Sequence, residues 1–599
     1  VCGRSGLFFA LPTQATSNGM FSRLVNWVNV LDGGRHSMEL VHSNAQFNDD
    51  FKKLNRIRSN NIDVDDDAGA AVYQWFEGRK KSMLADFVVG TVDQLLQLAL
   101  KQKHVMLRHV ALMNKVVIID ECHAYDAYMN VYLKRALNWL GRYKVPVILL
   151  SATLPAAKRD DLVRAYLNRD AATSRRRRRD IQNEEANSDY PLMTYTDGDN
   201  VLQKHVEAGV MPLNVKVNRI YENDVVDLLE DLLSDGGCAA IIVNTVKHAQ
   251  ELAERLKAEF GDDVSLLHSR FTATDRISKE DILRKQLGKA GTDTKRPHRL
   301  IVVGTQVIEQ SLDIDFDVMI SELCPIDLLL QRMGRLHRHN RNRPDKLKKA
   351  QCFVLKCEDE NIDKGSAAVY GEYMLMRTEV VLPDEINIPD DVSQLVQTVY
   401  GEDDGIIQHS LEQYAKAKEE WMRGIGEKER KAEEFRIGDP NPDDVEYIGE
   451  LFGNIDDDNG YIDGADNIDD IQAEASVRDI NDSFDAIVIR RDSDGMLHLL
   501  SNDMTLEITT PDDTTAKLIA RESIRMPREL CMPYRIDKAI EYIEKQASEI
   551  VSKWQASPWL KGSLVLMLNE QNEASILGYK LKYDSFYGLT CTKEDEANE

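Results

Sequence analysis

Two carboxylates set directly after an apolar run are the residues of this chain best suited to chemistry: Asp120-Glu121-Cys122-His123 follows Lys115-Val116-Val117-Ile118-Ile119. Four consecutive β-branched residues read as a strand covered on both faces, and in an open parallel sheet ligands gather beyond the carboxyl ends of the strands, where this pair emerges. Asp120 is placed to hold the magnesium ion of a nucleoside triphosphate and Glu121 to orient or deprotonate the attacking water, the division of labour that phosphoryl transfer requires. The next apolar run, Val145 to Leu150, ends in Ser151-Ala152-Thr153, and Ser151 and Thr153 are candidates for coupling a nucleotide site to a neighbouring surface. In the second half, Gln331-Arg332-Met333-Gly334-Arg335-Leu336-His337-Arg338, taken as helical, puts Gln331, Arg335 and Arg338 on one face. Two guanidinium groups on one face suit bidentate contact with phosphate oxygens. Upstream, Gly304-Thr305-Gln306 opens a run that ends at Asp313. There, backbone amides, Thr305 and Gln306 are placed for a nucleic-acid phosphate, and Asp313 for the nucleotide side.

The elements that must position these groups follow from the hydrophobic pattern. Apolar runs at Leu7–Leu11, Phe87–Val89, Val116–Ile119, Val145–Leu150, Ala239–Val243, Val264–Leu267, Leu300–Val303 and Val318–Ile320 alternate with helical segments, which predicts an α/β fold with parallel sheets. Ala249, Leu252, Leu256 and Phe260 recur at the spacing of a sheet-packed helix. From Pro383 the pattern changes to scattered helices, including Ile407 to Glu434, and then to an acidic stretch. Beyond Phe484, short strands precede a helix whose apolar face is Ile536, Ile540, Ile543, Ala547, Ile550 and Trp554, a compact α+β accessory domain. The expected organisation is residues 1–185 and 186–381 as two α/β domains, 382–482 as a helical and acidic linker, and 483–599 as the accessory domain.

The net charge of -26 argues against a nucleic-acid partner until its distribution is examined. Between Asp439 and Asp482 lie 15 acids against the single base Arg478, so more than half of the excess sits in one stretch. That stretch reads as a solvating linker. The Asp456-Asp457-Asp458-Asn459-Gly460 run lacks the ligand spacing of a calcium loop. The arginine run Arg175 to Arg179 reads as solvated loop charge. Eight scattered cysteines without zinc spacing point to free thiols and a cytoplasmic setting, and no apolar run is long enough to span a bilayer, so no membrane partner is expected.

Taken in order on two α/β units, these motifs resemble those of the superfamily 2 helicases. Within that superfamily, Leu11-Pro12-Thr13-Gln14-Ala15-Thr16, Val88-Val89-Gly90-Thr91-Val92-Asp93-Gln94, Asp120 to Asp126 and Ile326 to His339 are similar to the CRISPR-associated helicase-nuclease of type I systems. The resemblance implies two tandem RecA-like domains with ATP and Mg²⁺ between them, single-stranded DNA across their top, and a C-terminal α+β accessory domain. It assigns Thr13, Gln14, Gly90, Thr91, Asn244, Thr245, His268, Arg270 and Thr305 to DNA contact. It further implies 3′ to 5′ movement on target DNA opened by a guide-RNA surveillance complex, with a nuclease domain in cis or in trans. Two departures stand beside it. No Gly-x-x-x-x-Gly-Lys-Ser/Thr run occurs, Val1 falling where the helix after such a loop is expected, and no His-Asp dipeptide marks a nuclease metal site. A helicase of repair or RNA metabolism, or a non-catalytic DNA- or complex-binding module, are the alternatives these motifs leave open.

Overall fold

The computed structural model of the chain describes residues 3–31, 35–42, 45, 48, 51, 69–71, 81–102, 105–169, 190–207, 209, 212–289, 296–310, 313–357, 362–401, 411–440, 477–478, 483–507, 509–557 and 559–594. The arginine run at 175–179 and the acidic run at 456–460 lie outside them. The chain divides into two compact units, Val1–Gly209 with Val396–Asp403 and Ala415–Ile480, and Val210–Leu395 with Asp404–Tyr414 and Asn481–Glu599.

In the first unit, β1 (Gly6–Leu11), β2 (Arg35–Val41), β3 (Gly69–Ala71), β4 (Phe87–Thr91), β5 (Lys115–Ile119) and β6 (Val147–Leu149) form one parallel sheet in the order β3-β2-β4-β1-β5-β6. Helices cover both faces, which is why its strands are apolar throughout. Tyr128, Tyr132, Leu133, Ala136, Leu137 and Leu140 of the helix Ala127–Arg142 pack with Phe8, Val88, Val117 and Ile119. On the other face Phe21, Leu24 and Val28 of the helix Gln14–Val28 pack with Leu11, Met38 and Val89. Gly90 sits where a Cβ would come within 2.7 Å of the Val41 carbonyl oxygen of the neighbouring strand, so its lack of a side chain serves strand packing. At the sheet margin β6 pairs with β5 alone among the described residues, and Ile148 and Leu150 are exposed. A separate hairpin, β7 (Leu192–Asp197) with β8 (Asn200–His205), follows.

The second unit carries β9 (Leu213–Tyr221), β10 (Gly237–Ile242), β11 (Val264–Leu267), β12 (Arg299–Gly304), β13 (Val318–Glu322), β14 (Ala350–Lys356) and β15 (Glu385–Ile388) in the order β11-β12-β10-β13-β14-β9-β15. All pairs are parallel except β15 with β9. Ala249, Leu252, Ala253, Leu256 and Phe260 pack on this sheet as their spacing predicts. In the same unit β16 (Asp485–Arg491) pairs with β17 (Leu497–Leu499), β19 (Ser523–Arg525) and β20 (Leu564–Leu568), and β18 (Thr505–Leu506) joins β17. A meander of β21 (Glu573–Ile576), β22 (Tyr579–Asp584) and β23 (Gly588–Lys593) completes the α+β portion. Ala539, Ile543, Ala547, Ile550 and Trp554 are the buried face of the helix Ile536–Trp554.

The stretch 382–482, read as a linker, divides between the units. β15 joins the second sheet, while Ala432, Ile437 and Val477 are buried in cores of the first unit. The accessory portion packs with the second α/β core because the β22–β23 turn docks on it. Leu589 donates its amide to the Arg270 carbonyl at 2.8 Å, and the Tyr583 hydroxyl reaches Asp275 at 2.5 Å. A Cβ on Gly588, at φ +69, would collide with that same Arg270 carbonyl oxygen, so glycine is required twice over. No helix among the described residues is long and apolar enough to cross a membrane.

Glu522, fully buried beside this junction, accepts a hydrogen bond from the Ser501 hydroxyl. Burial pushes its carboxyl from 4.5 up to about 7, with the Ser501 hydrogen bond acting the other way. A folded-state value above the unfolded one means that stability is fully present below about 4.5 and is lost as pH rises through about 7. We therefore expect Glu522→Gln to raise the unfolding free energy at pH 8.5 relative to wild type by up to roughly 3 kcal/mol and to leave it nearly unchanged at pH 4, read by denaturant titration at both pH values. An equal difference at the two pH values would exclude titration of this carboxyl as the cause.

Candidate active site

The carboxyl ends of the parallel strands gather the chemistry of the first unit. Register pairs Leu11 with Thr91, Ala10 with Ile119 and Ile119 with Leu149, so the segments that follow β1, β4, β5 and β6 emerge along one edge. Asp120 is held there by its amide bonding to the Ala10 carbonyl at 2.9 Å, and Cys122 by its amide bonding to the Leu150 carbonyl at 3.2 Å. Between these two anchors Glu121 takes a left-handed backbone, φ 51 and ψ 43, unfavourable by about 1–2 kcal/mol for a side chain with a Cβ. Glu121 remains partly exposed, with one carboxylate oxygen buried towards His123, while Cys122 packs inward with no exposure. Burial raises the Cys122 thiol to about 11, which fits a packing role.

His123 is the joint of this edge. Its Nδ1 lies 2.9 Å from the Ser151 hydroxyl and 3.4 Å from a Glu121 carboxylate oxygen. Burial lowers the imidazole to about 4, so the ring is neutral at pH 7, and a proton on Nδ1 can serve either Ser151 or Glu121 but not both. The Ser-Ala-Thr segment is thereby linked to the Glu121 carboxylate through one ring. Thr153 is buried and its amide reaches the Ser151 hydroxyl at 3.3 Å. Asp120 accepts the Glu121 amide on Oδ1 at 3.1 Å, and among the described residues its Oδ2 takes no protein donor. Burial pushes this carboxyl up, with the Glu121 amide pulling the other way. A desolvated carboxylate with a free oxygen is suited to a divalent cation, so Asp120 fits a magnesium ligand.

In the second unit the helix Ile326–Met333 ends with Gly334 as its C-cap, so Arg335 and Arg338 are not on its face. This corrects the expectation of a continuous helical stripe from Gln331. The chain leaves the helix because Leu336 bridges Phe316: the Phe316 amide bonds to the Arg335 carbonyl at 3.0 Å and the His337 amide to the Phe316 carbonyl at 3.1 Å. Arg335 donates to the Glu309 carbonyl at 2.6 Å, and Arg338 donates to Asp313 at 2.6 Å. Partial burial works against ionisation of Asp313, yet the hydrogen bond and charge of Arg338 hold it below the usual carboxylate range. Asp313 is thus an ion-pair partner of the very arginine it was expected to accompany at the nucleotide. Gln331, half-buried, remains on the last turn of the helix.

Arg332, which sequence reasoning passed over, is the hub beneath this surface. It is fully buried against Glu309, with Nε to Oε2 at 2.8 Å, and its other nitrogens donate to Ser321 (2.8 Å), Asn244 (3.0 Å), Tyr370 (3.3 Å) and the Ile242 and Glu322 carbonyls (3.4 and 3.3 Å). Every nitrogen of the guanidinium is satisfied, the condition under which a buried charge is tolerated. The Tyr370 hydroxyl also accepts from Gln306 at 2.8 Å, and Gln306 reaches the Asn244 carbonyl at 3.2 Å. The ends of β10, β12 and β13 are therefore tied to the helix preceding Arg335. Nearby, His248 lies 2.9 Å from Glu222 and 2.6 Å from Glu322. Burial disfavours its charge, but these carboxylates hold it up to about 10, so it is an imidazolium at neutral pH.

The residues expected to contact DNA fall into different positions. Thr13 is the N-cap of the helix Gln14–Val28, its hydroxyl accepting the Thr16 amide at 3.2 Å, and Gln14 opens that helix half-buried. Thr91, buried, precedes the short helix Val92–Leu96. Thr245 caps the helix Val246–Phe260 by accepting the His248 amide. Asn244 and Thr305 are each 3 % exposed, and Asn244 is committed to Arg332, Ser366 and the Leu323 carbonyl. His268 departs from the expectation outright. Its Nδ1 accepts the Arg270 amide at 3.1 Å, its Nε2 donates to the Tyr587 carbonyl at 3.0 Å, and it has no exposure. The β22–β23 turn covers it, a contact across more than 300 residues that spacing could not show. Arg270 lies 3.6 Å from Glu529 through its side chain.

Two parallel-sheet units, one with Asp-Glu-x-His and Ser-Ala-Thr at adjacent strand ends and one with a Gln-Arg-x-Gly-Arg-x-x-Arg segment, define a superfamily 2 helicase core. Residues 19–162 match the model of DEAD/DEAH box helicases, 235–341 that of the C-terminal part of the CRISPR-associated nuclease/helicase Cas3, and 478–589 that of the Cas3 C-terminal domain. The chain is a Cas3-like helicase sequence. It is 43% identical over 615 residues to the CRISPR-associated nuclease/helicase Cas3 of Streptococcus thermophilus, an alignment covering 99% of this chain and 64% of that protein. Its structure is similar to T. fusca Cas3 with AMPPNP, at TM-score 0.80 and 28% identity, over 98% of this chain and 65% of the other. It is also similar to a chain in a CRISPR RNA-guided surveillance complex in a pre-nicking state, at TM-score 0.68 and 26% identity, over 98% of this chain and 68% of that one.

Proposed function

We propose that the protein hydrolyses ATP to move 3′ to 5′ along single-stranded DNA, acting in type I CRISPR interference on a strand opened by a guide-RNA surveillance complex. The observation that carries this reading is the His123 joint, which connects the Glu121 carboxylate to Ser151 on the strand-end edge of a Cas3-like chain. Asp120 would hold Mg²⁺, which when bound neutralises phosphate charge during transfer. Glu121 orients the attacking water and takes its proton, and neutral His123 relays the position of Ser151 to that carboxylate. Arg335 and Arg338 stabilise charge developing on the transferred phosphoryl group, with Gln331 beside them. Thr13, Gln14, Thr91, Thr245, Arg270, Thr305 and Gln306 form or support strand-end loops that meet the DNA backbone, a mode insensitive to base sequence and steeply weakened by salt. His268 and Asn244 hold those loops from beneath. A nuclease domain acts with it, in cis or in trans.

The test is strand displacement by the full-length natural protein on duplexes with a 3′ or a 5′ single-stranded tail, with ATP turnover followed in parallel. Displacement confined to the 3′-tailed substrate, and turnover stimulated by the surveillance complex bound to target DNA, is the expected result. Stimulation by structured RNA instead would favour a helicase of RNA metabolism. A second reading is a binding module without turnover. ATP titration of the 599-residue chain separates the two, since micromolar affinity would exclude it.

A further inference from the structure

We propose that Arg478 is a positioning residue that clamps together two loops of the first unit, the one entering the helix Gln14–Val28 and the one entering the helix Val92–Leu96. The inference rests on the reading that these loops meet DNA. Arg478 is the single base among 15 acids between Asp439 and Asp482, and it belongs to the first unit. Its guanidinium grips Asp93 with two bonds, Nε to Oδ1 at 2.6 Å and a terminal nitrogen to Oδ2 at 2.9 Å. The same terminal nitrogen donates to the Pro12 carbonyl at 3.3 Å. Pro12 immediately precedes the Thr13 cap, and Asp93 stands in the first turn after Thr91. One planar group therefore spans the ends of β1 and β4, the strands whose register aligns Leu11 with Thr91.

The grip is anchored from behind. Val477 has no exposure and belongs to the core cluster that also holds Leu95, Leu96 and Tyr125. With its neighbour buried, Arg478 reaches the two loops from a fixed base, and the fork geometry of a guanidinium matches the carboxylate better than an ammonium does. Loops ordered before DNA arrives need not be ordered by it, so a clamp of this kind raises affinity without itself touching a phosphate. The bidentate bond to Asp93 commits the charge of Arg478 to the protein, which distinguishes this role from a phosphate contact.

The experiment compares wild type with Arg478→Ala, Arg478→Lys, Asp93→Asn and the Arg478→Ala/Asp93→Asn pair. Two measurements are made on each: affinity for a fluorescein-labelled oligothymidine across a salt series, and hydrogen exchange of residues 12–16 and 91–96 without DNA. Expected are faster exchange in both segments and an affinity loss of about tenfold for Arg478→Ala and for Asp93→Asn. The pair should lose no more than either alone, lysine should restore part of the loss, and the salt slope should stay unchanged. Weakening by Arg478→Ala but not by Asp93→Asn, with a shallower salt slope, would make Arg478 a phosphate contact and overturn the proposal. So would unchanged exchange and affinity in all variants while DNA still protects both segments of the wild type. If DNA protects neither segment of the wild type, the reading of the loops fails, and the exchange data on the variants still report separately whether the clamp exists.

Discussion

Replacing Arg335 with alanine lowers DNA-stimulated ATP hydrolysis by the full-length natural protein roughly 10³- to 10⁵-fold, the range expected when a guanidinium that stabilises phosphoryl-transfer charge is removed. The side chain is half-buried and lies past the end of its helix, held by the Glu309 carbonyl at 2.6 Å. Its backbone is held by the bridge between Leu336 and Phe316. Losing one such side-chain bond changes fold stability by only about 1 kcal/mol, so a large fall in kcat would report on chemistry and not on unfolding. Lysine should recover little, because a point charge on a flexible stem reproduces neither the fork nor its orientation. Single-turnover hydrolysis, with a melting curve as control, decides the matter. A loss under tenfold would remove Arg335 from the machinery and leave Arg338, now paired with Asp313, as the alternative.

Glutamine at Glu121 is expected to reduce kcat by roughly 10²- to 10⁴-fold while leaving the affinities for ATP and DNA within a few-fold of wild type. The substitution keeps the shape of the side chain and, being no less tolerant of the left-handed backbone at φ 51, should not relax the turn between Asp120 and Cys122. It removes the charge that His123 faces at 3.4 Å, so the ring proton becomes free to stay with Ser151. If Glu121→Gln turns over ATP at the wild-type rate, another group activates the water and the assignment of the Asp-Glu pair is lost.

Where the chain's chemistry is written in contiguous residues, the sequence was legible. The apolar runs that end in Asp120-Glu121 and Ser151 are strands β5 and β6, and both do end at the same sheet edge. The apolar face from Ile543 to Trp554 is buried as its spacing requires. Strands such as β9, with only Val215 and Val217 buried amid Lys216, Asn218 and Arg219, lacked the continuous apolar signal and were passed over. What could not be read depended on contacts between distant segments. Arg332 and Arg335 are the same residue type three positions apart, yet one is a fully buried hub and the other is half-buried. Nothing local distinguishes them, because the difference lies in Glu309, Asn244 and Tyr370. The helical stripe through Arg338 failed for the same reason, since Phe316 captured the backbone. The family resemblance assigned His268 to the DNA, and the turn at Tyr587 that closes over it comes from the far end of the chain.

The margin of the first sheet, unpaired beyond β6 among the described residues, has a consequence for handling the molecule. Backbone donors and acceptors along β6, with Ile148 and Leu150 open to water beside them, form a template for any extended segment that approaches in register. Whatever strand settles there, from the same polypeptide or from another copy, gains paired amides and sheltered side chains in one step. Among the described residues, 147–150 are therefore a segment of the first sheet open to pairing with an added strand, and a charged residue placed at Ile148 would blunt it.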